Sequence, residues 1–347
     1  MVIGNAARRG PGHAVIVGDH RFDNILNVVE TALTQQGHLV TRHRGTLDEL
    51  AALPLWATAD ALLMPGMLAC SRETIAAAPN LRGIISPYIG TEGIDEKAAT
   101  DLGVVVGNCQ TPENYESVAE STILLMLASL YRLHGKEKVL RDNLPMPSPI
   151  HQGAATLRGK KIGLIGFGKI AQSVAVRLST WSLTIQVYMP RVRPPLPSYI
   201  TCTPLEELLR TSDVVAVLAS LNDETRHMLN AERLALMKPG AVLINTSRGA
   251  LIDENALYDL AKDGHFGAVA LDVFEAEPLS PNSPLRRLPN TILTPHCIAA
   301  TQELLTAVHR ASTEDMLRLL DGKAPQNVRN PDVLPIWEKR WSARQTI

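Results

Sequence analysis

Three polar side chains stand just past three apolar runs in the second half of the sequence. Arg248 follows "AVLIN", Glu277 follows "AVALDV" and His296 follows "TILTP". An imidazole exchanges a proton near neutral pH. A carboxylate beside it pairs with the imidazolium and stabilises it. A guanidinium grips a carboxylate with its planar fork and stabilises charge growing on an oxygen. Together these groups suit proton transfer to or from an oxygen of a small acid. Singly, each has a plainer reading: a surface ion pair for Arg248, a loop charge for Glu277, a helix-start residue for His296. What favours chemistry is their placement, because ligands of open parallel α/β sheets bind outside the carboxyl ends of the strands. Asp272, at the end of the strand before Glu277, belongs to the same set.

A glycine loop supplies the second constellation. "GLIGFGKIAQSVAVRL" places Gly166, Gly168 and Ala171 in a G-x-G-x-x-A pattern straight after an apolar run. Gly166 permits the tight turn, Gly168 lets backbone approach a pyrophosphate, and Ala171 lets helix and strand pack closely. Ile170, Val174 and Leu178 then recur at helical spacing, so a helix opens at the loop and offers its free N–H groups to an anion. Gly166, Phe167, Gly168, Lys169 and Ile170 are therefore candidate dinucleotide contacts. A plain strand-to-helix turn is the alternative reading of the glycines alone. The next strand of such a domain usually ends in Asp or Glu, which bonds the ribose 2′-OH. Here that position is Met189, and Arg191 and Arg193 follow it. A methionine does not repel a 2′-phosphate and either arginine could reach one, so NADP is favoured over NAD. The plain reading makes both arginines solvated loop residues.

Alternating strands and helices must hold these residues in place. "AVIVG", "ADALLMPG", "LRGIISPY" and "GVVVGN" read as buried strands with helical patterns between them, which implies a parallel sheet covered on both faces. A second series runs through "KKIGLIG", "LTIQVY", "DVVAVLAS", "GAVLINTS", "GAVALDV" and "TILTP", six strands, the count of a complete doubly wound dinucleotide domain. "NYESVAESTILLMLASLYRLHG" reads as one long helix between the two series. Leu304, Leu305, Val308, Ala311, Leu317 and Leu320 form another after the last strand. The expected fold is α/β, two doubly wound parallel-sheet domains with a cleft between them and the two long helices bridging them. The boundaries fall at 1–116 with 302–347 for the first, discontinuous domain and 117–301 for the second.

The whole-chain numbers narrow the function classes. At 347 residues the chain suits roughly two domains. A formal charge of −1 offers no footprint for nucleic acid. The longest apolar run, "STILLMLASLYRL", is too short and interrupted to span a bilayer. The N-terminus lacks the apolar core of a signal peptide. The four cysteines show no metal-ligand or C-x-x-C spacing, so reduced thiols in a cytoplasmic protein without a metal are expected. His13, His20, His38 and His43 are scattered and show no ligand spacing.

The segments "GLIGFGKIA", "ETRHMLNAERLALMKPGAVLINTSRGALIDENAL", "ALDVFEAEPL" and "TPHCIAATQE" resemble the D-isomer-specific 2-hydroxyacid dehydrogenase family. "LRGIISPYIGTEGIDEKAATDLGVVVGN" and "ESVAE" extend the likeness over nearly all of residues 14–330. The resemblance implies a flavodoxin-like substrate domain, a Rossmann cofactor domain, a homodimer, and hydride transfer between NAD or NADP and a small 2-oxo or 2-hydroxy acid. It puts the catalytic set on Arg248, Glu277 and His296. The backbone around Ile89 and Gly90, beside Tyr88, would hold the substrate carboxylate. Asp272 would orient the nicotinamide carboxamide, Val118 would border its ring, and Ala219, Ser220, Thr225, Thr246 and Ser247 would complete the cofactor site.

The departures are specific. Tyr-Asp-Pro of the family reads Tyr188-Met189-Pro190. Ile-Gly-Gly after the histidine reads Cys297-Ile298-Ala299, whose side chains would crowd the nicotinamide edge or shift the loop. A proline usual after the third strand is Ser220. A glycine near the carboxylate site is Tyr88, and an arginine that phosphoglycerate-type members use is Pro65, which disfavours a phosphorylated substrate. Tyr88 could instead point into the core. Cys297 is read as a small buried filler rather than a reactive thiolate. Trp337 and Trp341 could cover a partner subunit or cap the first domain. The altered loop keeps a second class open: a catalytically weak, cofactor-responsive regulatory protein on the same fold.

Overall fold

Runs such as "HAVIV" and "GIIS" carry apolar residues on both faces, and they become strands because helices cover both sides of their sheets. The computed structural model describes residues 10–146, 153–190 and 195–342. The chain forms two compact units, Met1–Glu113 with Thr301–Ile347, and Asn114–Ala300.

The first unit holds a parallel sheet of β1 (His13–Val17), β2 (Leu39–His43), β3 (Ala61–Leu63), β4 (Gly83–Ser86) and β5 (Val105–Asn108), in the order β2-β1-β3-β4-β5. This is the flavodoxin-like order. Its helices are α1 (Asp23–Gln35), α2 (Leu47–Ala51), α3 (Arg72–Ala76) and α4 (Glu96–Asp101). Helix α5 (Pro112–Leu130) crosses from this unit into the second. Alternate residues face opposite cores, as strand geometry requires. Val15, Val17, Leu62 and Ile84 pack with Leu50 and Trp56, while Ala14, Ile16, Leu63 and Ile85 pack with Met316, Leu319, Trp337 and Trp341.

The second unit holds β6 (Lys161–Ile165), β7 (Thr184–Tyr188), β8 (Ile200–Cys202), β9 (Val214–Val217), β10 (Val242–Asn245), β11 (Ala268–Leu271) and β12 (Thr291–Leu293), in the order β12-β11-β10-β9-β6-β7-β8. Counted from β6 this is 3-2-1-4-5-6 with a seventh strand beyond, the dinucleotide-binding order. Its helices are α6 (Leu133–Arg141), α7 (Lys169–Leu178), α8 (Leu205–Thr211), α9 (Ala231–Ala235) and α10 (Glu254–Lys262). The first unit is completed by α11 (Gln302–Leu320) and α12 (Leu334–Ser342).

The structure departs from the sequence pattern at three elements. The second series has seven strands, because "ITC" at β8 pairs with β7. The first series gains β2, a half-exposed edge strand on β1. The single long helix ends at Leu130, and Arg132, with φ of 52°, separates it from α6. Trp337 and Trp341 are 4% and 2% exposed against the core of the first unit, so they cap that unit. Among the described residues no helix is long and apolar enough to cross a membrane, and no three His, Cys, Asp or Glu side chains gather as a metal site.

Candidate active site

The glycine loop lies at the switch point of the second sheet, where β6 has β7 on one side and β9 on the other. Gly166 has φ of 96°, a conformation costly for any residue with a Cβ. A Cβ there would also stand 2.8 Å from the Leu218 carbonyl oxygen and 2.9 Å from Ala219 Cα. Its N–H donates to the Tyr188 carbonyl at 2.8 Å, which seats the loop between the ends of β7 and β9. Gly168 caps α7, and a side chain there would meet nothing within 4 Å. Ala171 is fully buried, while Phe167 and Ile170 pack on the edge of the same core. The open face before the first N–H groups of α7 fits a pyrophosphate. Lys169 is exposed and its Nζ stands 5.2 Å from the Tyr115 ring centroid.

Met189 directly follows β7 and packs, half-buried, on that core. No carboxylate stands at this position. Arg191 and Arg193 lie outside the described residues. Ser220 is exposed. Thr225 uses its hydroxyl to staple the loop, donating to Ser220 O at 2.8 Å and accepting from Asn222 N at 2.8 Å.

Arg248 is set by the residue that ends β10. Asn245 accepts from the Ser247 N–H at 3.0 Å and donates to the Arg248 carbonyl at 2.9 Å, bracketing the turn. Ser247 Oγ donates to Ala219 O at 2.9 Å, and the Thr246 hydroxyl lies 2.8 Å from that of Thr122. Thr122 in turn donates to the Val118 carbonyl at 2.7 Å, which links half-buried Val118 on α5 to the β10 turn. Arg248 Nη1 donates to Ser247 O at 2.7 Å. Asn245 and Thr122 were not anticipated; an Asn closing a strand two residues before Ser247 is an Asx-turn signal that would have found the first.

His296 and Glu277 come together although 19 residues apart in sequence: His296 Nδ1 lies 2.7 Å from Glu277 Oε2. No described residue engages Nε2. Glu277 Oε1 accepts from the Phe274 N–H at 3.0 Å. Burial pushes the Glu277 carboxyl up, but the His296 hydrogen bond and charge, the Phe274 N–H and the positive charge of Arg248 outweigh it and hold it below the usual value. His296 itself has φ of 52°, held by its N–H donating to the Asp272 carbonyl at 2.7 Å.

Asp272, at the end of β11, is 4% exposed. Its Oδ1 accepts from Thr294 Oγ1 at 2.6 Å and from the N–H groups of Cys297 and Ile298, each at 3.1 Å. Burial raises its pKa despite these bonds. The loop after His296 is therefore held through its backbone, and Ile298 packs on the core below. Cys297 is exposed, contrary to its reading as a buried filler. Partial burial and then the Asp272 charge push its thiol up, away from a reactive thiolate. A further carboxylate pair braces the Glu277 loop. Glu254 N donates to Glu275 Oε1 at 3.0 Å and Glu275 N donates to Glu254 Oε1 at 2.6 Å.

In the first unit, the turn after β4 carries Tyr88, Ile89 and Gly90, all half-buried. Ser86 Oγ donates to Gly90 O at 2.7 Å and Asn108 Nδ2 to Ile89 O at 2.6 Å. The N–H groups of Ile89 and Gly90 donate to no described residue. Tyr88 packs against the cluster of Ile25, Leu304 and Val308, with its ring 6.2 Å from that of Phe22, and burial raises its phenol pKa. Pro65 is buried and brings no charge here.

Residues 123–297 match the family model of the D-isomer specific 2-hydroxyacid dehydrogenase NAD binding domain. A glyoxylate reductase of Thermofilum pendens is 37% identical over 271 residues, 76% of this chain and 79% of that protein. A D-3-phosphoglycerate dehydrogenase of Mycobacterium tuberculosis is 36% identical over 76% of this chain but 49% of its own length. Among solved structures, an NADPH-dependent glyoxylate/hydroxypyruvate reductase from Sinorhizobium meliloti, in complex with NADP and malonate, superposes with a TM-score of 0.80. It is 26% identical, over 92% of this chain and 97% of that one.

Proposed function

The chain belongs to the D-isomer specific 2-hydroxyacid dehydrogenase family and is a nicotinamide-dependent oxidoreductase; we propose that it reduces a small, unphosphorylated 2-oxo acid to the D-2-hydroxy acid. The reading rests on the 2.7 Å pair of His296 Nδ1 and Glu277 Oε2, at the carboxyl end of the sheet, where the Arg248 charge also reaches Glu277. That pair turns Nε2 into the ring atom available to substrate. A nicotinamide cofactor, when bound, would supply the hydride that C2 takes. His296 gives its Nε2 proton to the C2 oxygen, and Glu277 stabilises the imidazolium that holds this proton. Arg248 binds the carboxylate and stabilises charge growing on the oxygen. In the first unit, the N–H groups of Ile89 and Gly90 donate to no described residue and are free to donate to an anion's oxygens. Asp272, with Oδ1 occupied by three donors, would offer Oδ2 to the nicotinamide carboxamide.

The substrate reading rests on absent charge. Pro65 stands where a phosphate-binding arginine would, and Tyr88 packs apolar surface beside the turn. Two of the relatives named above are reductases of glyoxylate, which supports a small acid. The NADP preference rests on Met189, which brings no carboxylate against a 2′-phosphate. Exposed Leu133, Leu140, Leu144 and Met146, on and beside α6, support a homodimer that covers them. The four free cysteines suit a reducing cytoplasm.

Steady-state assays of glyoxylate, hydroxypyruvate and phosphohydroxypyruvate with each cofactor test the reading. Turnover of the first two is expected, with His296→Ala and Arg248→Ala each losing at least ~100-fold. Ordinary turnover by His296→Ala, or activity confined to the phosphorylated acid, overturns it. A preference for NADH of about tenfold, roughly 1.4 kcal/mol, overturns the cofactor assignment. Tight cofactor binding with no turnover across the panel would favour a regulatory protein instead.

A further inference from the structure

A cavity of about 390 Å³ lies in the second unit, lined by Ser129, Arg132, Lys160, Asp213 and Lys238 among others. It is far from the strand ends that carry Arg248, Asp272 and His296. Lys160 immediately precedes β6, Asp213 precedes β9, and Lys238 leads into β10. The cavity therefore opens at the amino end of the sheet, with the full length of β10, about 13 Å of strand, between it and Arg248.

Its charge is unbalanced. Asp213 is the one acidic residue in the lining, against Arg132, Lys160 and Lys238. The carboxylate is already spent, since Oδ1 accepts from Lys238 Nζ and Oδ2 from the Lys161 N–H, both at 2.8 Å. The side chains of Arg132 and Lys160 make no hydrogen bond with any described residue, although the Lys160 charge helps hold the Asp213 carboxyl below its usual value. Arg132 lies against the Gly153 backbone, and its left-handed φ of 52° fixes where the side chain leaves the chain. Ser129 belongs to the same lining. It is 5% exposed, and its hydroxyl has no hydrogen-bond partner among the described residues. Buried polar groups are nearly always satisfied, so such an orphan calls for a partner. With three cations in the lining against one carboxylate, the partner selected is a negative one.

We propose that this cavity is a second ligand site, for a small multiply charged oxyanion such as a polycarboxylate or a phosphate, held by Arg132 and Lys160 with Ser129 Oγ as a hydrogen-bond donor. It shares no residue with the proposed active site, so its occupancy acts on stability or assembly rather than on the hydride acceptor directly.

Calorimetric titration of the full chain with citrate, and separately with inorganic phosphate, tests this. Arg248 also attracts carboxylates, so Arg248→Gln is titrated in parallel. At least one of the two anions is expected to bind wild type and Arg248→Gln alike. Lys160→Glu should weaken that binding by about tenfold or more, equivalent to ~1.4 kcal/mol, and leave turnover of the 2-oxo acid unchanged. Arg132→Gln gives the same readout independently if Lys160→Glu fails to fold, and Ser129→Ala should weaken binding several-fold. The proposal is overturned if neither anion binds at millimolar concentration, if the lining variants leave the isotherm unchanged, or if all binding disappears in Arg248→Gln. Because the readout is binding, it stands apart from whether the chain reduces 2-oxo acids.

Discussion

The two oxygens of Glu277 have separate employers, the Phe274 N–H at 3.0 Å and the His296 ring at 2.7 Å. Glu277→Gln preserves an acceptor for Phe274 but cannot neutralise an imidazolium. Turnover is expected to fall by about 10²–10⁴-fold, mainly in kcat. The depressed Glu277 carboxyl also sets a sign for stability. A carboxyl with a lowered folded pKa contributes fully above its unfolded value, and that contribution is lost as pH falls through the folded one. Thermal melts should show wild type above Glu277→Gln near neutral pH, with the gap closing below the ordinary glutamate range. A gap that persists in acid would separate Glu277 from His296. These residues were legible because a strand end plus a reactive side chain is a local pattern. The residues that aim them were not. Thr122 acts on Thr246 across 124 residues, and no local pattern encodes that distance. Tyr88 left two directions open, because a half-buried phenol satisfies either.

At the scale of elements, Gly249 joins two loops. A Cβ there would collide with the carbonyl carbon of Phe274 and the backbone N of Glu275. Both are backbone atoms, so Gly249→Ala must displace the segment leading to Glu277. A loss of about 1–3 kcal/mol in urea melts is expected, together with reduced turnover. Unchanged kinetics would show that this packing does not set Glu277. On α11, Asp315 has a side chain 2% exposed, accepts from Gln326 N at 2.8 Å, and is pushed up to about 6 by burial. A raised carboxyl stabilises the fold below its unfolded value and loses that contribution as pH rises through the folded one. Asp315→Asn keeps the acceptor without the charge. It should add on the order of 2–3 kcal/mol near pH 8 and almost nothing near pH 4, by chemical denaturation. Fully buried strands were legible as apolar runs. Half-exposed β2 and three-residue β8 were not, since edge strands carry polar residues and little length. The break before α6 carries no glycine or proline to announce it, only Arg132 in a left-handed turn.

At the scale of the molecule, the last forty or so residues close the unit that the first hundred begin. Arg82, just before β4, donates to the carbonyls of Leu319 and Leu320 at 3.2 and 2.7 Å, capping α11, and pairs with Asp60 at 2.9 Å. Asn330 accepts from the Val106 N–H at 2.8 Å and donates to Val104 O at 3.1 Å. Trp337 Nε1 donates to the Arg82 carbonyl at 2.7 Å, with its ring in the same core as β1 and β4. The spacing of Trp337 and Trp341 was visible in the sequence, but not their target, because a partner subunit and the chain's own core would bury the same faces. Truncating Trp337 to Ala removes a buried ring and a bond to the cap of α11, a loss of about 3–5 kcal/mol. If that loss belongs to the first unit, hydrogen exchange should accelerate in β1, β3, β4 and β5 and stay unchanged in β6, β9 and β10. Equal acceleration in both sheets would mean that the two units open together, and that α12 secures the whole chain rather than the sheet it covers.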